Sequence, residues 1–448
     1  MVDLSIDFCG VKFKNPILTA SGTFGFAVEF RELVDLNKLG GIVFKSVTLQ
    51  ELPGNPQPRI FELPFGLVNS IGLENKGIHW FLNHLLPQIE NLDTNLIPSI
   101  YGFSFEEYVE LLQILDRVPR FQMIEINISC PNVQSIIHKL EKDLSIFENF
   151  VKTIRKATQK ILIVKLSPSL YNIVEFARIA RKAGIDALSL INTLPVVTFD
   201  WRRRKSNLST IWGGFSGPPL KGISQKLCMD IYKVVDIPII GIGGIFSADD
   251  VMEYLACGAS LVEVGTANFI KPDITIECIE NLQKIVEQEK ITSLQKFSGC
   301  YIWANHNNNI LKIYTDGASL NNPGPSACAY LFKNQNDEFI MSRTFFLGHS
   351  TNNVAEYTAL LYALSFLEER KQFLDRVREL HIFSDSQLMH RQLKGLYKIK
   401  NVKLRELNRA VHDKLESLNK IYCLFEIDRK LNFEADRLCK NVLSAYHK

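Results

Sequence analysis

MIEINISCPN (residues 123–132) reads as a buried strand running directly into a polar tip, where a thiol sits between two carboxamides, Asn127 and Asn132. Seven more short runs rich in Val and Ile flank it, at roughly 20- to 40-residue spacing. Before it come PILTA (16–20), GIVFKS (41–46) and NLIPSIYG (95–102). After it come ILIVKLS (161–167), ALSLIN (187–192), IPIIGIGG (237–244) and LVEVGT (261–266). Helical patterns at 145–158, 172–184, 224–235 and 248–257 lie between them. Continuous apolar strands alternating with amphipathic helices signal a parallel sheet buried on both faces. Eight such units predict a (β/α)8 TIM barrel. The opening DLSIDFCGVKF reads as a small hairpin outside the repeat.

The strand ends carry the chemistry. Ser21-Gly22, Lys45-Ser46, Asn127, Lys165, Asn192-Thr193, Gly243-Gly244 and Gly265-Thr266 all fall at strand C-termini, the face of such a barrel that bears the active site. Two late glycine-bearing turns, in IGIGGI and EVGTAN, allow backbone amides to approach a phosphate closely. A lysine in a barrel mouth is costly unless something pairs with it, so Lys45 and Lys165 are read as ligand contacts. Cys130, between carboxamides that suit a planar amide or carboxylate, is read as more than a small buried hydrophobe.

A second pattern begins past YIWANHNNNI (301–310), whose asparagine cluster reads as a linker. The expected layout is residues 1–300, a linker 301–310, and a domain from 311 to 448. Three strand-like runs, LKIYTDGA, SACAYLFK and FIMSRTFFL, precede a helical pattern at 353–369. Strand HIFS, helices near 386–396 and 401–418, strand CLFEID and a last helix near 432–446 follow. This predicts a mixed sheet covered by helices. Four carboxylates stand out: Asp316 closing the first strand, Glu356 early in a helix, Asp385 closing the fourth strand and Asp436 opening the last helix. Any one alone reads as a turn, a cap or a solvated helix face. Gathered together they would repel unless hard cations such as Mg2+ or Mn2+ neutralised them.

Composition sets bounds on partners. The chain has 448 residues and a formal charge of +3. From Asn309 onward there are 21 Lys and Arg against 16 Asp and Glu; before it there are 30 against 32. The basic C-terminal part hints at a polyanionic partner. No apolar run is long enough to span a membrane, and MVDLSIDFCG shows no secretory signal. Nine cysteines lie singly, with no CxxC and no local His/Cys cluster. This argues for a reducing, cytoplasmic setting and against zinc.

Residues 1 to about 298 resemble the NAD-linked, class 1B dihydroorotate dehydrogenases. KNPILTASGTFGF, GIVFKSVTL, GNPQPR, GLVNSIGL, IEINISCPN, VKLSP, INTLPVVTFD, GGFSGP, IPIIGIGGI and VGTANF carry the resemblance, in order. It implies FMN held by Ser21, Lys45, Ser46, Asn127, Lys165, Ile191, Gly217, Gly243, Gly244, Gly265 and Thr266. Ser99 stands at the flavin-contacting strand end where the family often has asparagine. It also implies dihydroorotate held by Lys45, Asn69, Ser70, Ile71, Gly72, Leu73, Asn127, Asn192 and Thr193, with Cys130 as the general base. The loop after the cysteine, VQSIIHKLEKD (133–143), lacks the family's usual glycines. There is no FAD fingerprint and no iron–sulfur cysteine set. The resemblance therefore implies a separate FAD/iron–sulfur subunit for NAD+ reduction, and an oligomer formed through the barrel. A dihydropyrimidine dehydrogenase-like flavoprotein is the rival reading of this part.

Leu311 to about Ser444 resembles the ribonuclease HI type of the RNase H family, which implies an RNase H-like α/β domain. Asp316, Glu356, Asp385 and Asp436 match its catalytic metal-binding tetrad. Asn352 and Asn353, in TNNVAE, stand where relatives touch the minor groove of an RNA–DNA hybrid. Lys394, Lys398, Lys400, Lys403, Arg405 and Arg409 form a basic stretch that could track phosphates. A nucleic-acid-binding module that does not cleave is the alternative here.

Overall fold

The computed structural model describes residues 3–129, 140–304 and 309–446, with the backbone alone at 304 and 372. The chain divides at Gly299/Cys300 into two compact units, with only Lys233–Asp236 counted with the second.

In the first unit the apolar runs become parallel strands: β1 (Ile17–Thr19), β2 (Gly41–Val43), β3 (Asn95–Ile97, resuming as Ser99–Ile100), β4 (Met123–Asn127), β5 (Ile161–Leu166), β6 (Ala187–Leu190), β7 (Ile239–Ile242) and β8 (Leu261–Val264). Hydrogen-bonded neighbours run in sequence order, and β8 returns to β1, so the sheet closes. The third strand breaks at Pro98, which has no N–H to give the ladder. Its first half pairs with β2 and its second with β4. The Pro98 carbonyl still accepts from the Glu125 amide at 2.9 Å. Crossover helices α1 (Phe105–Asp116), α2 (Leu144–Ala157), α3 (Ile173–Lys182), α4 (Leu220–Val234) and α5 (Ala248–Ala256) cover the barrel, and α6 (Ile274–Gln288) follows β8. Side-chain caps start several of them: Ser104, Asp143, Asn172 and Ser247 each accept a first-turn amide. The opening residues form the expected hairpin, Ile6–Phe8 against Val11–Phe13. A small antiparallel sheet, built from Ile60–Leu63, Gly66–Asn69, Leu194–Val196 and Gly213–Ser216, brings together loops that follow β2 and β6.

The second unit is a five-stranded mixed sheet, ordered β11 (Phe339–Ser350), β10 (Gly324–Lys333), β9 (Ile310–Ser319), β12 (Glu379–Ser384), β13 (Ile421–Glu426). The first three strands are antiparallel and the last two join in parallel. Helices α7 (Asn352–Glu369), α8 (Gln387–Leu393), α9 (Val402–Leu418) and α10 (Phe433–Tyr446) complete it. Two expectations need correction. Tyr301–Ala304 is not irregular linker, because Cys300–Ala304 is helical. Trp303 explains this: its ring is nearly excluded from solvent and stacks on Phe373 at 5.0 Å. The asparagines at 305–308 lie outside the described residues. Asp316 does not close its strand. Parallel pairing with β12 stops at Tyr314, but antiparallel pairing with β10 carries β9 on to Ser319.

Among the described residues no helix is long and apolar enough to cross a membrane.

Candidate active sites

In the barrel, the strand ends and the loops beyond them enclose a cavity of about 400 Å3, within the range of small-molecule and cofactor sites. Ser21, Lys45, Ser46, Asn69, Ile71, Gly72, Leu73, Asn127, Lys165, Ile191, Asn192, Thr193, Gly217, Gly243, Gly244, Gly265 and Thr266 all line it. Two expected contacts fall outside this lining. Ser99 is wholly buried and its hydroxyl lies 2.9 Å from that of Ser46, behind the wall. Ser70 is also wholly buried, its hydroxyl bonded by Asn55 and Thr210 at 2.8 Å each. Cys130, Asn132 and residues 133–139 lie outside the described residues.

Local bonding orients the polar lining. The Asn127 amide donates to Ser46 Oγ at 2.9 Å, and its carbonyl accepts from the Ser129 amide. Asn192 donates to Ser129 Oγ at 2.7 Å, and Asn69 donates to the Gly214 carbonyl at 3.2 Å. Gly243 and Gly244 take φ of 121° and 65°, conformations that favour glycine. Lys45 is partly buried, which lowers its pKa, and it makes no ion pair with a described residue.

Lys165 is fully buried, with its ammonium 3.0 Å from Ser21 Oγ, 3.4 Å from Glu263 and 3.5 Å from Glu125. Burial opposes its charge, but the two carboxylates outweigh that and hold its pKa above the ordinary value. One cation cannot satisfy two buried acids, and Oε1 of each glutamate lacks a hydrogen-bond partner. Burial, reinforced by Glu125, pushes the Glu263 carboxyl from 4.5 up to about 8 despite Lys165. A raised folded-state pKa gives stability that is complete below 4.5 and is lost as pH rises through about 8. Thermal unfolding of the flavin-free chain should therefore occur at falling temperature over that interval. Glu263→Gln should flatten the fall, and an unchanged slope would refute the assignment. Sequence reading missed both glutamates. Their signal was a charged residue mid-strand in two otherwise buried runs, MIEIN and LVEVG.

In the second unit, carboxylate oxygens of Asp316, Glu356 and Asp385 all lie within 4.8 Å of one another. Burial first, and Asp385 next, raise Asp316 to about 6. Fully buried Glu356 is pushed well above the carboxylate range by burial and by both aspartates, and its Oε2 has no partner. An orphaned buried oxygen among crowded acids suits a hard divalent cation. Asp436 does not join this trio. Arg429 at 2.8 Å and Lys440 at 2.6 Å hold its two oxygens. Burial would raise its pKa, but these cations lower it.

Two further residues shape the cluster. A Cβ on Gly317 would sit 2.2 Å from the Glu356 amide nitrogen, so only glycine lets α7 approach β9 this closely. The wholly buried Asn432 donates to Asp385 at 2.6 Å and to the Thr315 carbonyl at 2.9 Å, linking β9 to the end of β12. The TDG step hinted at the first; nothing in the local sequence marked the second. Asn352 accepts from the Ser319 amide at 3.2 Å. The six basic residues from Lys394 to Arg409 are exposed, and none makes an ion pair with a described residue.

Comparison with known proteins agrees with this division. The family model for dihydroorotate dehydrogenase matches residues 3–286, and that for RNase H matches residues 308–434. The chain is 41% identical over 298 residues to the catalytic subunit of dihydroorotate dehydrogenase B (NAD(+)) from Thermodesulfovibrio yellowstonii, covering 66% of this chain and 98% of that protein. It is 44% identical over 299 residues to the subunit of the same name from Petrotoga mobilis, covering 67% and 99%. The solved structure of dihydroorotate dehydrogenase from Eimeria tenella in complex with ferulenol shares the fold, with a TM-score of 0.56 at 24% identity over 66% of this chain and 88% of that one. The two families imply a flavin site in the barrel and a divalent-metal site in the second unit. The chain thus belongs to the dihydroorotate dehydrogenase family, as a protein of the B-type catalytic-subunit kind, fused to an RNase H domain.

Proposed function

We propose that the barrel oxidises (S)-dihydroorotate to orotate with FMN, in pyrimidine biosynthesis, and passes the electrons to NAD+ through a partner subunit. The observation that carries this reading is Lys45, a partly buried ammonium with no ion pair to a described residue, lining one cavity with three oriented carboxamides. That set suits a ring bearing a carboxylate, one imide edge and a further ring N–H. Lys165, held by Glu125 and Glu263, faces the same cavity. The turns at Gly243-Gly244 and Gly265-Thr266 offer backbone for the phosphate. Bound flavin supplies a hydride acceptor. Asn69, Asn127 and Asn192 orient the substrate ring, and Cys130 takes the C5 proton while hydride leaves C6.

The rival reading, a dihydropyrimidine substrate, lacks the carboxylate that would pair with Lys45. Lys45→Met should raise the KM for dihydroorotate by roughly 10- to 100-fold, the worth of a hydrogen bond to a charged group. Wild-type preference for dihydrouracil, or an unchanged KM in the variant, would remove Lys45 from substrate binding. NAD+ reduction by the purified chain should be poor and rise when an FAD/iron–sulfur subunit is added. Efficient reduction by the chain alone would overturn the partner requirement.

In the second unit the reading is Mg2+- or Mn2+-dependent endonucleolytic cleavage of the RNA strand of RNA–DNA hybrids. Asp316, Glu356 and Asp385 would hold the ions, joined by Asp436 once Arg429 and Lys440 release it. Such ions activate water and steady the leaving oxygen of a phosphodiester. The exposed basic stretch from Lys394 to Arg409 would track the phosphates.

A further inference from the structure

The one described cluster that brings sulfur, nitrogen and oxygen donors together lies at the end of β12 remote from Asp385, on the edge of the second sheet. Glu379 and His381 alternate on β12 and so share a face. The register of β12 with β13 sets Cys423 directly beside His381. Donor atoms of all three side chains lie within 4.8 Å of one another, and His381 Nε2 is 3.0 Å from Glu379 Oε2. Each residue is half-exposed, so an ion has a path in. The Phe425 ring, 5.1 Å from the imidazole, walls one side. Lys312 is opposite His381 on β9, but its ammonium pairs with Asp337 at 2.7 Å and does not neutralise the cluster.

We propose that Glu379, His381 and Cys423 form a binding site for a zinc-like divalent cation. A hydrogen bond between Glu379 and His381 accounts for that pair but leaves the adjacent thiol without a role. Thiolate and imidazole select borderline ions and are poor ligands for Mg2+, so this site and the carboxylate trio sort ions by chemistry. Three protein donors complete a tetrahedron with one open position for water or an incoming group. The ion would tie β13, which among the described residues pairs only with β12, to the strand whose other end leads into Asp385. Local sequence spacing argues against zinc, because the histidine and the cysteine come from different strands and meet only through the sheet register.

Co2+ titrated into the full chain, with Mg2+ in excess to hold the carboxylate trio, tests this. A thiolate-to-cobalt absorption in the near ultraviolet should saturate at one equivalent, yield to Zn2+ and resist Mg2+. Cys423→Ser should abolish it, and His381→Ala should weaken Co2+ binding by about tenfold or more. In the unmutated chain, Zn2+ should protect Cys423 from maleimide, read by peptide mapping. Absence of the absorption, its survival in Cys423→Ser, or unprotected Cys423 would each overturn the proposal.

Discussion

Asp385→Asn should abolish Mg2+-dependent cleavage of an RNA–DNA hybrid and leave flavin content and dihydroorotate oxidation unchanged. The asparagine keeps the shape and an oxygen to accept from Asn432. What it loses is the charge that shares a cation with Asp316 and Glu356. That charge is also one of the causes, after burial, that raise the pKa of both partners. Without metal, its removal relieves repulsion, so in EDTA the variant should unfold at a temperature no lower than wild type. A lower unfolding temperature together with lost cleavage would point to damage rather than to lost metal binding. Cleavage near wild type would mean a contaminating nuclease or a wrong metal set. The dehydrogenase is expected to be untouched because β1 to β8 close the barrel with their own hydrogen bonds. A parallel loss of oxidation would overturn that independence.

Cys130→Ser should leave the flavin bound and slow dihydroorotate oxidation by a factor on the order of 100 or more, as for other positioned bases. A serine hydroxyl is far less acidic than a thiol, which titrates near 8.5, so it is a poorer proton acceptor at neutral pH. No expected FMN contact is lost, so the absorbance of bound flavin should persist. Stopped-flow reduction of that flavin by dihydroorotate isolates the step in which C5 loses its proton and C6 its hydride. Reduction at a near-normal rate would exclude Cys130 from it.

The barrel was legible in the sequence because its strands are mostly apolar runs, as parallel strands buried on both faces must be, with Glu125, Lys165 and Glu263 as charged exceptions. The break at Pro98 was also written there, since proline has no amide hydrogen to share. Asp316, Glu356 and Asp385 were legible as candidates because together, in this order, they resemble the RNase H tetrad, although each alone reads as a turn, a cap or a helix face.

Other features depended on chain segments distant in sequence. Lys165 could be read as a ligand contact, but its charge balance follows from Glu125 and Glu263, brought in by two other strands of the closed barrel. Asp436 could be read as a fourth ligand, yet Arg429 and Lys440 hold it in ion pairs outside the trio. Trp303 made helix of an expected linker by finding Phe373 across the fold. Residue type and local period by themselves located the barrel strands, their crossover helices and the candidate site residues at the strand ends. Only the tertiary structure decided which charges neutralise one another, because burial and pairing across strands, not sequence spacing, set the cost of each charge.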